Sequence, residues 1–375
     1  MGYAAVVLFL LAITLAAVWS EVQAADEDRS SDGLTSSSRT SSTAETYTTT
    51  LTTASTLTST LTSTLTTTVT STTTATVLPP GLTLTGSGLV VDDPLTTGGA
   101  SPWTFGGSAV ELGGVATHFE NSSGLYIGVR SANNGTYAGY FARRSVDAQV
   151  FNAVISLPAN RTTGGVELNA GLYVQTGGKY INFVACAGGL EPGGYYWLVE
   201  RATTSSNSTN VNADRIVVLW AESGHGQPLS RDCTIVTDGR NLVEVYLDGE
   251  PVYTNRTMDL GYQYPLSARV EVQTTDGSTM RYAHFSDFYA ASSENVTVSG
   301  VPYGATAQLI GPSGRLYSSG AAGPSGIVSL DVAALQMPLT AFVTVTEQGR
   351  VVASTPSAAQ VWPGDAYLLL PQSEA

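Results

Sequence analysis

Few acidic side chains in this sequence stand where two carboxyls could work on one bond. Glycosidic cleavage needs such a pair about 5.5 Å apart for retention or about 6.5–9.5 Å apart for inversion. A single strand supplies the pair when acids alternate, because residues i and i+2 share a face. No Glu-x-Asp-x-Glu run occurs. The nearest approaches are Glu244 with Asp248 and Asp248 with Glu250, and the second pair straddles an Asp-Gly turn that itself accounts for Asp248. Glu167 and Glu200 sit in separate apolar runs and could converge on one sheet face; taken singly, each reads as a solvent-facing acid on a half-buried strand. His118, His225 and His284 show no metal-binding spacing. Ser223 has Ala221 and His225 where a nucleophile elbow needs glycine. The pairs Gly188-Gly189 and Gly193-Gly194 read as turns, not phosphate cradles. Calcium is the one cofactor that carbonyl-plus-Asp loops could hold, at Asp232 or Asp238, though no EF-hand-like run is present. No residue is assigned a catalytic or metal-ligating role.

Aromatics offer the better binding signal. Tyr195, Tyr196 and Trp197 follow Pro192-Gly193-Gly194, and Trp220 ends the run RIVVLW. Sugar rings stack their C–H faces on such amphipathic rings. The competing use of Trp197 and Trp220 is to fill a core. Strand alternation puts Tyr195 and Trp197 on one face and Tyr196 on the other, so at least one aromatic should point away from the core.

The elements that must position these residues begin with an export signal. Residues 4–19 are nearly unbroken apolar sequence, and Val22-Gln23-Ala24 presents small residues at −3 and −1. This predicts cleavage between Ala24 and Ala25. Two other readings stay open: an uncleaved anchor, slightly short of the roughly 20 residues that span a bilayer, and a pilin-like leader cut after Gly2. All three place the remainder outside the cytoplasm. Cys186 and Cys233, the two cysteines, are then expected to form a disulfide. Asn121, Asn134, Asn160, Asn207, Asn255 and Asn295 each open an Asn-x-Ser/Thr sequon and are expected glycan acceptors. Charged residues make up only 12% of the chain, against roughly 25% in ordinary soluble domains, and the net charge is −14. Lys179 is the sole lysine. Such a surface repels nucleic acid and anionic lipid, so nucleic acid is excluded as a partner, and membrane contact is confined to an uncleaved N-terminal segment.

Residues 25–81 form a Ser/Thr-rich stalk or linker that cannot bury a core. Within it Leu51, Leu57, Leu61, Leu65, Val69 and Val77 all occupy odd positions. In an extended chain they would share one face, so residues 46–77 could instead act as a donor strand for another subunit. Pro79-Pro80-Gly81 marks a boundary. From 82 to 291, short apolar runs alternate with Gly-Gly, Asn-Gly, Asp-Gly and Pro, the pattern of one β-sandwich or jelly roll. Residues 294–371 read as a smaller β-sandwich, with Gln348-Gly349 as one hairpin turn. The fold class is therefore all-β: a jelly-roll sandwich followed by a smaller sandwich, preceded by a signal helix and a disordered stalk.

The stretch NLVEVYLDGEPVYTNRTMDL, residues 241–260, resembles the hairpin of concanavalin A-like (laminin-G/glucanase-type) jelly rolls. MRYAHFSDFYA resembles their last strand, and FNAVISL, GVELNAGLYVQ and YINFVACAG their central strands. The final segment is similar to small transthyretin-like or immunoglobulin-like modules. Jelly rolls of this type include glycosidases; with the leader, the sequons and the missing carboxyl pair, the reading is an extracellular, glycosylated, non-catalytic surface protein with a lectin-like jelly roll, whose partner is a glycan or another surface protein. Two alternatives stand beside it: a self-assembling filament or matrix subunit that donates residues 46–77, and a carbohydrate-active hydrolase.

Overall fold

The structure, a computed structural model, describes residues 81–96, 103–159, 166–176, 182–191, 194–203, 215–224, 227–258, 260 and 265–370. The leader, the Ser/Thr tract up to residue 80, His225 and the sequons at Asn160 and Asn207 lie outside the described residues. In chain order the elements are β1 (Leu82–Gly86), β2 (Leu89–Asp93), β3 (Thr104–Gly106), a short helix α1 (Ser108–Glu111), β4 (Val115–Asn121), β5 (Gly124–Arg130), β6 (Ala138–Val146), β7 (Val150–Ser156) and β8 (Leu168–Thr176). There follow β9 (Phe183–Glu191), β10 (Gly194–Thr203), β11 (Arg215–Gly224), β12 (Ser230–Thr237), β13 (Val243–Leu247), β14 (Glu250–Asn255), β15 (Leu266–Thr274) and β16 (Arg281–Ala291). The smaller sandwich adds β17 (Asn295–Ser299), β18 (Thr306–Ile310), β19 (Leu316–Ala321), β20 (Ile327–Asp331), β21 (Leu339–Glu347), β22 (Arg350–Ser354), β23 (Ala359–Val361) and β24 (Ala366–Leu369).

Two antiparallel sheets face each other in the jelly roll. One is seven-stranded, in the order β11-β10-β9-β8-β15-β6-β3. The other runs β14-β13-β12-β7-β16-β5-β4, with β2 also paired to β16. Period-two alternation fills the space between them. On β8, Leu168, Ala170, Leu172 and Val174 point inward, against Phe151, Ile155, Ile235 and Val245 of the facing sheet. Cys186 of β9 is bonded to Cys233 of β12, so the disulfide crosses the core and ties one sheet to the other. The hairpin expected at Asp248-Gly249 is present between β13 and β14, with both residues at positive φ (54° and 80°) as a tight turn demands. Gln348-Gly349 does the same between β21 and β22.

The smaller sandwich packs a four-stranded sheet, β1-β24-β17-β20, on the sheet β19-β18-β21-β22 with β23 alongside β21. Here the structure departs from the sequence reading. Leu82–Gly86 was expected to begin the jelly roll, but β1 pairs with β24, and Leu82 is buried in the smaller core beside Val298, Leu330 and Tyr367. A five-residue strand with a single inward leucine carries no mark of which of two neighbouring sheets it will complete. The chain thus starts in the smaller sandwich, builds the jelly roll, and returns.

That return seats the smaller sandwich on the outer face of the eight-stranded sheet. Val150, Val236, Tyr246 and Tyr289 form one apolar cluster with Ala333 and Trp362. The rings of Tyr289 and Trp362 meet edge to face at 5.4 Å. Asp365 clamps the junction: its Oδ1 accepts from the Gly88 N–H and its Oδ2 from the Trp362 N–H, both at 2.9 Å.

Breaking the inter-sheet bond with Cys186→Ala and Cys233→Ala frees a segment of 47 residues in the unfolded chain. In the chain-entropy account this lowers stability by about 4 kcal/mol. The expected readout is a clearly lower guanidinium midpoint. An unchanged midpoint would show that packing alone holds the sheets.

Candidate functional site

The inward residues of the seven-stranded sheet leave an equal number pointing outward, and these are not the usual solvent-facing mixture. Register aligns them in rows across the strands. Gln273 of β15 stands beside Asn169 of β8, then Gly189 of β9, then Tyr196 of β10. In the next row Glu271 is followed by Gly171, Ala187 and Leu198. In the third, Arg269 is followed by Tyr173, Ala185 and Glu200. Large polar and aromatic groups at β10 and β15 are thus separated by small residues on β9 and at Gly171.

The small residues are required. A Cβ on Gly189 would lie 2.1 Å from the Tyr196 ring, so the tyrosine lies flat across β9 and its hydroxyl comes to 3.5 Å from Asn169 Nδ2. A Cβ on Gly139 of β6 would lie 2.7 Å from Glu271 Oε1, so the Glu271 carboxylate leans toward β6. That carboxylate is held from both sides: Arg269 Nε is 3.0 Å from Oε2, and Gln273 Nε2 donates to Oε1 at 2.8 Å. The guanidinium of Arg269 is in turn stacked 4.7 Å from the Tyr173 ring centroid, with Phe141 and Phe183 on its flanks.

Glu200 is 1% exposed. Burial, and then the nearby negative charge of Glu271, push its carboxyl up from 4.5 to about 7, and Arg269 offsets part of the rise. A β-bulge against β11 falls at Val199–Glu200. Among the described residues no protein donor meets Glu200 Oε2, Asn169 Oδ1 or Gln273 Oε1. Gln273 cannot be turned to fill its own gap, since its amide N–H must serve the Glu271 carboxylate. The same face also holds the Arg269–Glu271 ion pair, in which Nε and Oε2 meet at 3.0 Å.

The sequence-predicted residues are distributed across these faces. Tyr196 points outward into this site, and Tyr195 and Trp197 take the core face, as alternation required. Trp197 Nε1 donates to Pro228 O at 2.9 Å, and the Tyr195 hydroxyl donates to Ala159 O at 3.1 Å. Trp220 is half-buried against the core. Glu200 belongs to the site. Glu167 immediately precedes β8, two positions from Asn169 at the margin of the site. Glu244 is paired with Arg256 at 2.5 Å and accepts from the Tyr246 hydroxyl on the other sheet. Asp238 Oδ1 caps a turn by accepting from the N–H groups of Arg240, Asn241 and Leu242, which hold its carboxyl below the usual range. Asp232 accepts from Asn152 and is raised by burial. Among the described residues no group of three or more His, Cys, Asp or Glu is placed to hold a metal ion. Arg269, Glu271, Gln273 and Asn169 went unremarked in the sequence. The signal available was ARVEVQT, whose odd positions carry Arg, Glu and Gln where an outward face would ordinarily hold short polar groups.

Comparison with known proteins bears on the sandwich alone. No family model matches the chain, and no curated protein does. Among solved structures, a β-glucanase from Bacillus licheniformis is similar at 12% identity, covering 55% of this chain and 99% of its own, with a TM-score of 0.39. LamAcat from Zobellia galactanivorans is similar at 11% identity over 54% of this chain and 97% of its own, with a TM-score of 0.36. A carbohydrate binding module from Bacillus subtilis is similar at 12% identity over 50% of this chain and 94% of its own, with a TM-score of 0.29.

Glu200 makes stability pH-dependent in a definite direction. Below pH 4.5 the carboxyl is protonated in both states and contributes nothing. Between 4.5 and about 7 the unfolded chain ionises while the folded chain keeps its proton, so stability falls as pH rises. The full loss, about 3 kcal/mol, is reached above about pH 7. Glu200→Gln is expected to flatten this part of the profile in urea titrations at about pH 4 and about pH 8. Identical pH profiles for the variant and the parent would show that Glu200 ionises normally.

Proposed function

We propose that this chain is an exported, carbohydrate-recognising surface protein whose ligand lies on the outer face of the seven-stranded sheet. The observation that carries the reading is the set of sheltered acceptors: Glu200 Oε2, Asn169 Oδ1 and Gln273 Oε1 have no donor among the described residues. A sheltered acceptor without a donor costs about 1–3 kcal/mol. A polyhydroxylated ligand supplies hydroxyl donors in number, and Tyr196 supplies a ring face for its C–H surface. Export is supported by the leader pattern and by a disulfide that an oxidising compartment maintains. The smaller sandwich, similar in sequence pattern to transthyretin-like or immunoglobulin-like modules, serves as a rigid spacer on the opposite face.

Hydrolysis is the second reading, favoured by one observation: a buried carboxyl near 7 is suited to give a proton to a leaving oxygen. The partner carboxylate weighs against it. Glu271 is occupied by Arg269 and Gln273. Cleavage needs its two carboxyls within about 10 Å with one of them available. Recognition requires no such pair.

The test is binding of the secreted full chain to a panel of soluble polysaccharides by calorimetry, with released reducing ends measured in parallel. Saturable binding is expected, weakened about 10–100-fold by Tyr196→Ala or Asn169→Leu, with no release of reducing ends. Absence of binding by a correctly folded chain would sink recognition. Reducing-end release that disappears in Glu200→Gln would replace it with hydrolysis.

A further inference from the structure

The outer face of the eight-stranded sheet is covered by the smaller sandwich at one end and bare at the other. The bare end carries rings. Phe119 of β4 and Tyr126 of β5 are stacked, with centroids 4.8 Å apart and planes 5° from parallel. Tyr282 of β16 meets Phe119 at 6.2 Å, and its own ring lies where a Cβ on Gly128 would be. Phe119 is 46% exposed and Tyr282 37%. Exposed stacked rings at a sheet edge are a liability that a folded protein usually covers.

Two residues along β4 from Phe119 stands Asn121, the first residue of the sequon Asn121-Ser122-Ser123. Residues i and i+2 of a strand share a face, so Asn121 rises from the same surface as the rings. It closes a tight hairpin opposite Gly124, which presents no side chain beside it. The hairpin is fixed: His284 Nε2 donates to Ser123 O at 2.8 Å, and a Cβ on Gly124 would strike Phe285 O at 2.3 Å. Asn121 Oδ1 accepts from both the N–H and the Oγ of Ser123, each at 2.7 Å. The sequon hydroxyl is therefore already on the amide oxygen, and among the described residues Nδ2 has no partner. Asn255 offers a contrast. Its Oδ1 also accepts from its own sequon residue Thr257, but its Nδ2 donates to the Tyr253 hydroxyl at 3.4 Å, and that ring packs on the core.

We propose that Asn121 carries an N-linked glycan whose first sugar lies on the Phe119–Tyr126 stack, so that the glycan is the cover of this apolar patch. In attachment a lipid-linked glycosyl pyrophosphate of the host is the donor: its sugar C1–O bond breaks as the C1–Nδ2 bond forms, the lipid pyrophosphate leaves, one Nδ2 proton passes to the transferase's base, and the Oδ1 contacts of the turn stay intact. The sugar's C–H face then meets the exposed ring, removing apolar surface from water on both partners. The inference rests on export and not on the ligand proposed for the opposite sheet.

The experiment uses the full chain secreted by a glycosylating host, with its N-terminus and every sequon peptide identified by mass spectrometry. Occupancy at Asn121 is expected. Phe119→Ala is then expected to lower the melting midpoint by about 2–4 °C more in the glycosylated chain than in the Asn121→Gln background. Phe119→Leu, which keeps apolar volume but removes the ring, repeats the comparison if the alanine variant does not fold. An empty Asn121 beside an occupied Asn134 or Asn255 overturns the proposal, as does an equal Phe119 effect in both backgrounds. An uncut leader with no sequon occupied overturns export itself, which separates that failure from this one.

Discussion

The outer face of the seven-stranded sheet depends on the absence of side chains at Gly139, Gly171 and Gly189. On an ordinary strand each Cβ claims its own column above the sheet, and long side chains stand upright between them. Here the cleared positions let Tyr196 lie down over β9 and Glu271 lean toward β6. Groups from β8, β10 and β15 consequently meet laterally and form one surface. A methyl group at Gly189 would overlap the tyrosine ring outright. The glycines weaken the strands as strands, and the disulfide between Cys186 and Cys233, with the tightly packed inner face, offsets that weakness.

Electrostatics follow from the same crowding. In a chain with so few charges, two glutamates and an arginine are placed within one sheltered patch. Arg269 neutralises Glu271 at close range and, stacked against Tyr173, stays where it is. Glu200 has no such partner. Its proton is retained first because burial penalises the charged form, and then because ionising it would set a second negative charge near that of Glu271. The asymmetry divides the labour: one carboxylate is ion-paired with Arg269, the other keeps its proton. This division distinguishes the face from an ordinary buried ion pair, which would satisfy all its members and leave no acceptor facing outward.

Much of the architecture was legible because β structure writes itself with period two and glycine-containing turns. YYWLVER placed Tyr196 on the face opposite Tyr195 and Trp197, and Asp248-Gly249 and Gln348-Gly349 announced their hairpins. Cys186 and Cys233 paired as the compartment suggested. What was not legible is lateral order. Nothing local in Glu200 or Glu271 says that β9 and β8 separate them, or that Gly139 on a third strand makes room for one of them. The same limit hid the place of β1: Leu84 and Thr85 look alike whichever sheet they extend, and only the buried environment of Leu82 decides. Alternation fixes which face a side chain takes, while neighbourhood is set by long-range pairing.

The placement of β1 also bears on how the two sandwiches act as one body. A strand at the start of the described chain closes the sheet whose other members come from its end, and Ser87-Gly88 then delivers the chain directly into β2 of the jelly roll. Pulling the sandwiches apart would require unpairing β1 from β24, releasing Gly88 from Asp365 and separating Tyr289 from Trp362. These contacts lie on the outer face of the eight-stranded sheet, away from the Glu200 patch. A load applied through the smaller sandwich is therefore borne by backbone pairing and apolar contact there, and the opposite face keeps its geometry.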